Sequence, residues 1–177
     1  DLPAFIGLGK GLESNECGVL YHQCVCQRNI VYKLFSGGFY CEMRYRKRNI
    51  ACLESMWNGH IENKLNVLPT LELISKTMDS KFSHLTCNTR EELQYNLNLL
   101  CKRNYGVLYF AFHGSPGRIH LHRDRVKLPE LASMMNHRFT NWIIHFGTCS
   151  TLRKPTAVRD FIEQTRVSMV TGFTRDV

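Results

Sequence analysis

The chain is short of acid. Its 15 Asp and Glu stand against 23 Lys and Arg, a net charge of +8 at pH 7, and such an excess attracts nucleic acid or an acidic partner through long-range electrostatics. Charge alone does not choose between them. No apolar run approaches the roughly 20 residues that a membrane-spanning helix needs, so no membrane partner is expected. The N-terminal DLPAFIGLGKGLESNE lacks the basic start and long apolar stretch of a secretory signal, and a cytoplasmic location is expected. The paired CxxC knuckles of zinc sites are missing. Cys24-Val25-Cys26 with His22, or with His120 and His122, would offer thiolates and imidazoles, but at a spacing that argues against a metal. GLGKG near the N-terminus has no strand before it and completes neither a P-loop nor a dinucleotide fingerprint, so no cofactor is expected.

What is present fits a globular protein. A chain of 177 residues suits one domain, or one domain with an appendage, and can bury a core without disulfide or metal staples. Eight cysteines are scattered, several inside apolar runs, as free thiols in a reducing compartment would be. Part of the basic excess is local: Arg44, Arg46, Lys47 and Arg48 form one cluster, and Arg118, Arg123, Arg125 and Lys127 lie along a hairpin. Solvated surface is the plainer reading of both. Residues 1–48 combine early glycines, a Cys-rich middle and a basic end without a sustained period, and they read as an N-terminal extension of unassigned fold.

From residue 49 onward short apolar runs alternate with helical stretches, the pattern of a largely parallel sheet covered by helices. Strands are expected at 49–54, 82–87, 107–112, 142–146 and 167–170. Pro69 suits the first turn of a helix whose inner face is Leu71, Ile74 and Met78. Thr89-Arg90-Glu91-Glu92 has the form of a capping box; the helix behind it presents Leu93, Leu97 and Leu100 and should end near Tyr105-Gly106. The run 107–112 is continuously apolar, as expected of a central strand buried on both faces. A small hairpin follows, then short helices over 129–135 and 156–166.

Two of these strands end in reactive groups. His113 follows the run GVLYFAF and Cys149 follows WIIHFGT, both at carboxyl ends, where the loops of an open parallel sheet collect functional groups. A strand–helix–strand order makes the two strands neighbours. A thiol attacks an acyl carbon as the thiolate, and an adjacent imidazole is its usual activator. His113 therefore reads as the base and Cys149 as the nucleophile, with the backbone N–H groups of Gly114 and Cys149 as oxyanion donors. Taken singly, each residue would more often be a capping histidine or a buried small hydrophobe. His145 reads as a core residue, and His120 and His122 as hairpin decoration.

The phrases AFHGSPG and IHFGTCSTL resemble the His-Gly and Cys-bearing strand ends of caspase-like CHAT peptidases, a broad group including caspases, separase and gingipains. The resemblance covers roughly residues 49–177, including CLESMWNG, LPTLELI, TREEL and TGFTRDV, the caspase-like (CHAT-like) peptidase domain. It implies an α/β three-layer sandwich with a mostly parallel sheet of order 2-1-3-4-5 and helices on both faces. It also implies a cysteine endopeptidase acting on a protein or peptide substrate and released by a regulatory protein partner. The chain departs from the family by stopping just past its fifth strand, so the usual sixth is not expected. In such folds loops after the first and later strands receive the side chain before the cleaved bond. Glu54, with Trp57 as an apolar wall, is therefore expected to favour Lys or Arg there, or else to pair with a surface arginine. The competing readings are an inactive caspase-like module binding protein or, less favoured, nucleic acid, and a different thiol acyl-transfer enzyme.

Overall fold

The computed structural model describes residues 19–26, 29–36, 49–57 and 66–176. The GLGKG segment, the basic cluster at 44–48, and the side chains of His22, Cys24 and Cys26 lie outside the described parts. Two strands come first, β1 (Val19–Cys26) and β2 (Asn29–Ser36). They are followed by β3 (Ile50–Glu54), α1 (Leu68–Met78), β4 (Phe82–Thr86), α2 (Arg90–Leu100) and β5 (Val107–Ala111). Three short strands then form a separate sheet: β6 (His113–Ser115), β7 (Arg118–His120) and β8 (Arg125–Lys127). The chain continues through α3 (Leu128–Met135), β9 (Ile143–Phe146), α4 (Pro155–Thr165) and β10 (Met169–Phe173).

The main sheet runs β1-β2-β10-β9-β5-β3-β4. Its strands from β3 to β10 pair in parallel, so the expected 2-1-3-4-5 order is the observed order β4-β3-β5-β9-β10. The edge beyond β10 is joined by β2, from the segment to which the sequence assigns no fold; β2 pairs antiparallel with β10 from Met169↔Lys33 to Phe173↔Asn29. An exposed strand edge offers unpaired N–H and C=O groups, and β2 satisfies them.

Helices lie on both faces. Ala51, Leu53, Leu108, Phe110, Ile144, Phe146 and Val170 share one cluster with Leu93 and Leu97 of α2, Leu131 of α3 and Phe161 of α4. Alternate residues point the other way: Cys52 and Ala111 pack with Leu71 of α1. Phe110, Phe146 and Phe161 run through the larger cluster with successive ring centroids 5.2 and 5.7 Å apart, and each buried aromatic contributes about 2–3 kcal/mol.

Local chemistry fixes the helix ends. Pro69 sits in the first turn of α1, and Thr89 and Glu92 complete the reciprocal capping box of α2. That helix stops at Leu100, short of the expected Tyr105-Gly106, because Arg103 N–H turns back to the Leu100 carbonyl at 2.9 Å. Met78, expected on the inner face of α1, is 54 % exposed, since the helix ends beside it at Asp79 in a left-handed conformation.

His145 lies on the α1 side of β9, 5.2 Å from the Tyr109 ring, with Nδ1 2.6 Å from Thr171 Oγ1. Burial holds its pKa below the usual histidine value. As the pH falls, the unfolded chain therefore takes up the proton first. Stability is full above the unfolded pKa of about 6.5 and declines as the pH drops through it towards the folded value. Thermal melts should show a steeper loss of Tm between pH ~7.5 and ~5.5 in the wild type than in His145→Phe; equal slopes would contradict this reading.

Candidate active site

Register builds the rim. β5 and β9 pair so that Phe110 lies opposite Phe146, and Gly147 N–H donates to the Phe110 carbonyl at 2.9 Å. His113 is three residues past Phe110, and Cys149 is three past Phe146. The two segments leave the sheet side by side and stay close. A Cβ built on Gly114 would lie 2.6 Å from the Cys149 carbonyl oxygen and 2.3 Å from Thr151 Oγ1. Any residue but glycine at 114 would push these backbones apart.

His113 is exposed, yet its ring is oriented. Nε2 lies 3.1 Å from the Trp57 carbonyl oxygen. A carbonyl only accepts, so Nε2 carries the proton and the lone pair of the neutral ring stays on Nδ1. The Trp57 indole meets the imidazole edge-on, with centroids 5.0 Å apart and planes at 82°. β3 and β5 are adjacent, with Glu54 opposite Ala111. From β3 the chain runs to β4 on one side and then crosses back to β5 on the other. Trp57 and His113 thus flank the point where the strand order reverses, the usual crevice of an open α/β sheet.

Trp57 is held from below by Glu54. Oε1 of that carboxylate accepts from the Trp57 indole Nε1 and from Val67 N–H, the latter at 3.0 Å. Oε2 takes His84 Nε2. With 4 % exposure and these donors around it, Glu54 faces inward. The expectation that it receives a basic substrate side chain, or pairs with a surface arginine, gives way to a positioning role: the carboxylate ties the loop after β3 to β4 and to the start of α1.

The Cys149 turn is also braced. Thr148 Oγ1 donates to Thr151 Oγ1 at 2.8 Å, which donates onward to the Arg118 carbonyl at 3.1 Å, and Ser150 N–H reaches the Arg175 carbonyl at 3.1 Å. Ser150 itself has φ 47, a conformation uncommon for a residue with a side chain and held here by its surroundings. Cys149 is half-buried between buried Thr148 and Ser150. A three-residue turn, Thr151–Arg153, separates this loop from α4, which starts at Pro155, one residue before the start expected from the sequence.

Strand alternation orients Gly114. Leu121 N–H donates to the Asp124 carbonyl at 2.8 Å, closing the β7–β8 turn, and this phase makes His113↔His120 and Ser115↔Arg118 the hydrogen-bonded pairs of β6 and β7. The Gly114 N–H between them is therefore turned away from β7.

Other thiols differ. Cys52 and Cys87 are fully buried, and burial pushes both up, Cys87 to about 12, so they stay protonated near neutrality. Cys101 Sγ donates to the Asn98 carbonyl at 3.3 Å. Among the described residues no group of three or more His, Cys, Asp or Glu could hold a metal ion, and no helix is long and apolar enough to cross a membrane.

Three parts of the site had no clear signal in the sequence. The Trp57 carbonyl is a backbone group and leaves no side-chain trace. The His84–Glu54 contact joins residues 30 apart. His120, directly opposite His113, has its pKa lowered by burial and by Arg125, Arg118 and His113, and its Nε2 lies 2.8 Å from Ser115 Oγ.

Comparison with known proteins gives a family model described as "Family of unknown function (DUF6642)", which matches residues 47–177 and is not described as a CHAT family. No curated protein matches. Among solved structures, the crystal structure of Caspase-1 from Spodoptera frugiperda is similar at a TM-score of 0.43 and 13% identity, over 66% of this chain and 54% of that one. The chain thus spans about half the length of that structure.

Removal of the Glu54 carboxylate should expose its positioning role. Glu54→Ala strands the Trp57, Val67 and His84 donors and should cost about 2 kcal/mol or more, read as a lowered Tm with altered Trp fluorescence. An unchanged melt and spectrum would show the carboxylate to be dispensable.

Proposed function

Since the chain belongs to DUF6642, a family of unknown function, we propose from its own residues that it is a cysteine endopeptidase with His113 as base and Cys149 as nucleophile. One observation carries this reading: the β5–β9 register brings the two residues to matching places on one rim, with the His113 Nε2 committed to the Trp57 carbonyl. Nδ1 is then the nitrogen left for the thiol proton.

The steps balance within the chain's own groups. Nδ1 takes the Cys149 proton, and the thiolate attacks the substrate carbonyl carbon. The oxyanion is met by the Gly114 and Cys149 N–H groups, each worth about 3 kcal/mol to the transition state. The C–N bond breaks, the imidazolium returns its proton to the departing amine, and a thioester remains. Water, deprotonated by Nδ1, releases the acid and restores the thiol. The substrate is a peptide or protein. A preference for cleavage after basic residues finds no support at Glu54, whose carboxylate is buried and engaged.

A peptidyl acyloxymethyl ketone tests the dyad. Peptide mapping should find the label on Cys149, and His113→Ala should slow labelling about 100-fold or more. Labelling that is indifferent to His113, or spread evenly over the cysteines, would leave a fold that binds without cutting.

A further inference from the structure

The small sheet beside His113 has two faces of very different chemistry. Gly114, Ile119 and Val126 are register partners, and Ile119 and Val126 are fully buried. Period-two alternation puts all their neighbours on the opposite face. Across that face one row reads His113, His120, Arg125 and the next reads Ser115, Arg118, Lys127. Every side chain on it is cationic, an imidazole or a hydroxyl. Arg125 and Lys127 are exposed, and Arg118 is half-buried.

Like charges placed directly opposite destabilise a sheet, as Arg118 and Lys127 are here. The acids nearest in sequence do not relieve them. Asp124 Oδ2 accepts the Arg90 backbone N–H at 2.9 Å, and Glu130 pairs with the Arg90 side chain at 3.0 Å. Among the described residues, no carboxylate forms an ion pair with Arg118, Arg125 or Lys127. Among the described residues the face is thus a cationic surface with no paired carboxylate, and it begins at the proposed base itself.

We infer that this face receives acidic side chains of the substrate on the C-terminal side of the cleaved bond. The side follows from the chemistry: the imidazolium hands its proton to the departing amine, so the amine half of the substrate lies towards His113. Spacing gives the positions. Adjacent strands lie about 4.8 Å apart, so the β8 cations are about 10 Å from His113, roughly three residues of extended peptide. Asp or Glu is therefore favoured about two to four residues after the cut. The inference rests on the peptidase reading for the fate of the bound segment but not for its binding.

The test is fluorescence anisotropy with the full chain carrying Cys149→Ser, which binds without cutting. Three labelled peptides are compared, identical but for acidic, neutral or basic residues in those positions, with a single-stranded oligonucleotide as competitor. The acidic peptide should bind best. Arg125→Gln with Lys127→Gln should weaken it about fivefold or more, as should raising the salt from ~0.05 to ~0.5 M; Arg118→Gln should weaken it independently. Equal binding of the three peptides, or acidic-peptide binding unchanged in these variants, would overturn the inference. So would variants that lose the oligonucleotide while keeping the acidic peptide, which would make this a nucleic-acid surface. Failure of the peptidase reading would appear separately, as an unlabelled Cys149 in the wild-type protein.

Discussion

Parallel pairing between β5 and β9 is the constraint on which the rim depends, because it sets where two unlike side chains leave the sheet. With Phe110 opposite Phe146, the chain has the same three residues on either side in which to reach His113 and Cys149. The pairing is itself held by packing: both phenylalanines are fully buried, their rings meet, and Phe146 in turn meets Phe161 of α4. A core contact and a candidate reaction centre are thus joined through one register. A slip of a single residue would exchange the buried and outward faces of the strand.

Around this register the molecule spends polar groups on positioning. Glu54 and His84 brace Trp57, which braces the imidazole; Thr148 and Thr151 brace the turn that carries the thiol. Each support is rooted in a buried side chain, Glu54 in one and Thr148 and Thr151 in the other, leaving His113 exposed and Cys149 half-buried at the surface. A buried carboxylate is stable only with partners, and here those partners are the groups that need to be fixed. The small β6–β7–β8 sheet completes the surroundings, with its apolar side locked into the core and its cationic side turned outward.

Much of this was legible from residue pattern. The continuous apolar runs marked the central strands, Thr89 and Glu92 announced the start of α2, and the coincidence of His113 and Cys149 at strand ends pointed to one rim. The misses share a cause. Trp57's carbonyl, and the Val67 and His84 donors to Glu54, are backbone or long-range contacts, which leave no spacing in the sequence to read. Residues 19–26 and 29–36 give no strand signal because the segment has no single period across its whole length, whereas each run of eight forms its own strand. Pairing of β2 with β10 is a contact between distant parts of the chain, which a local pattern does not reveal.

The most direct test of the central claim is a crystal structure of the protein after reaction with a peptidyl ketone. The account predicts a covalent bond to Cys149 Sγ, the ketone oxygen within hydrogen-bond reach of the Gly114 and Cys149 N–H groups, and the imidazole beside the sulfur with Nε2 still on the Trp57 carbonyl. An adduct on another thiol, or a ring turned away from a modified Cys149, would contradict it.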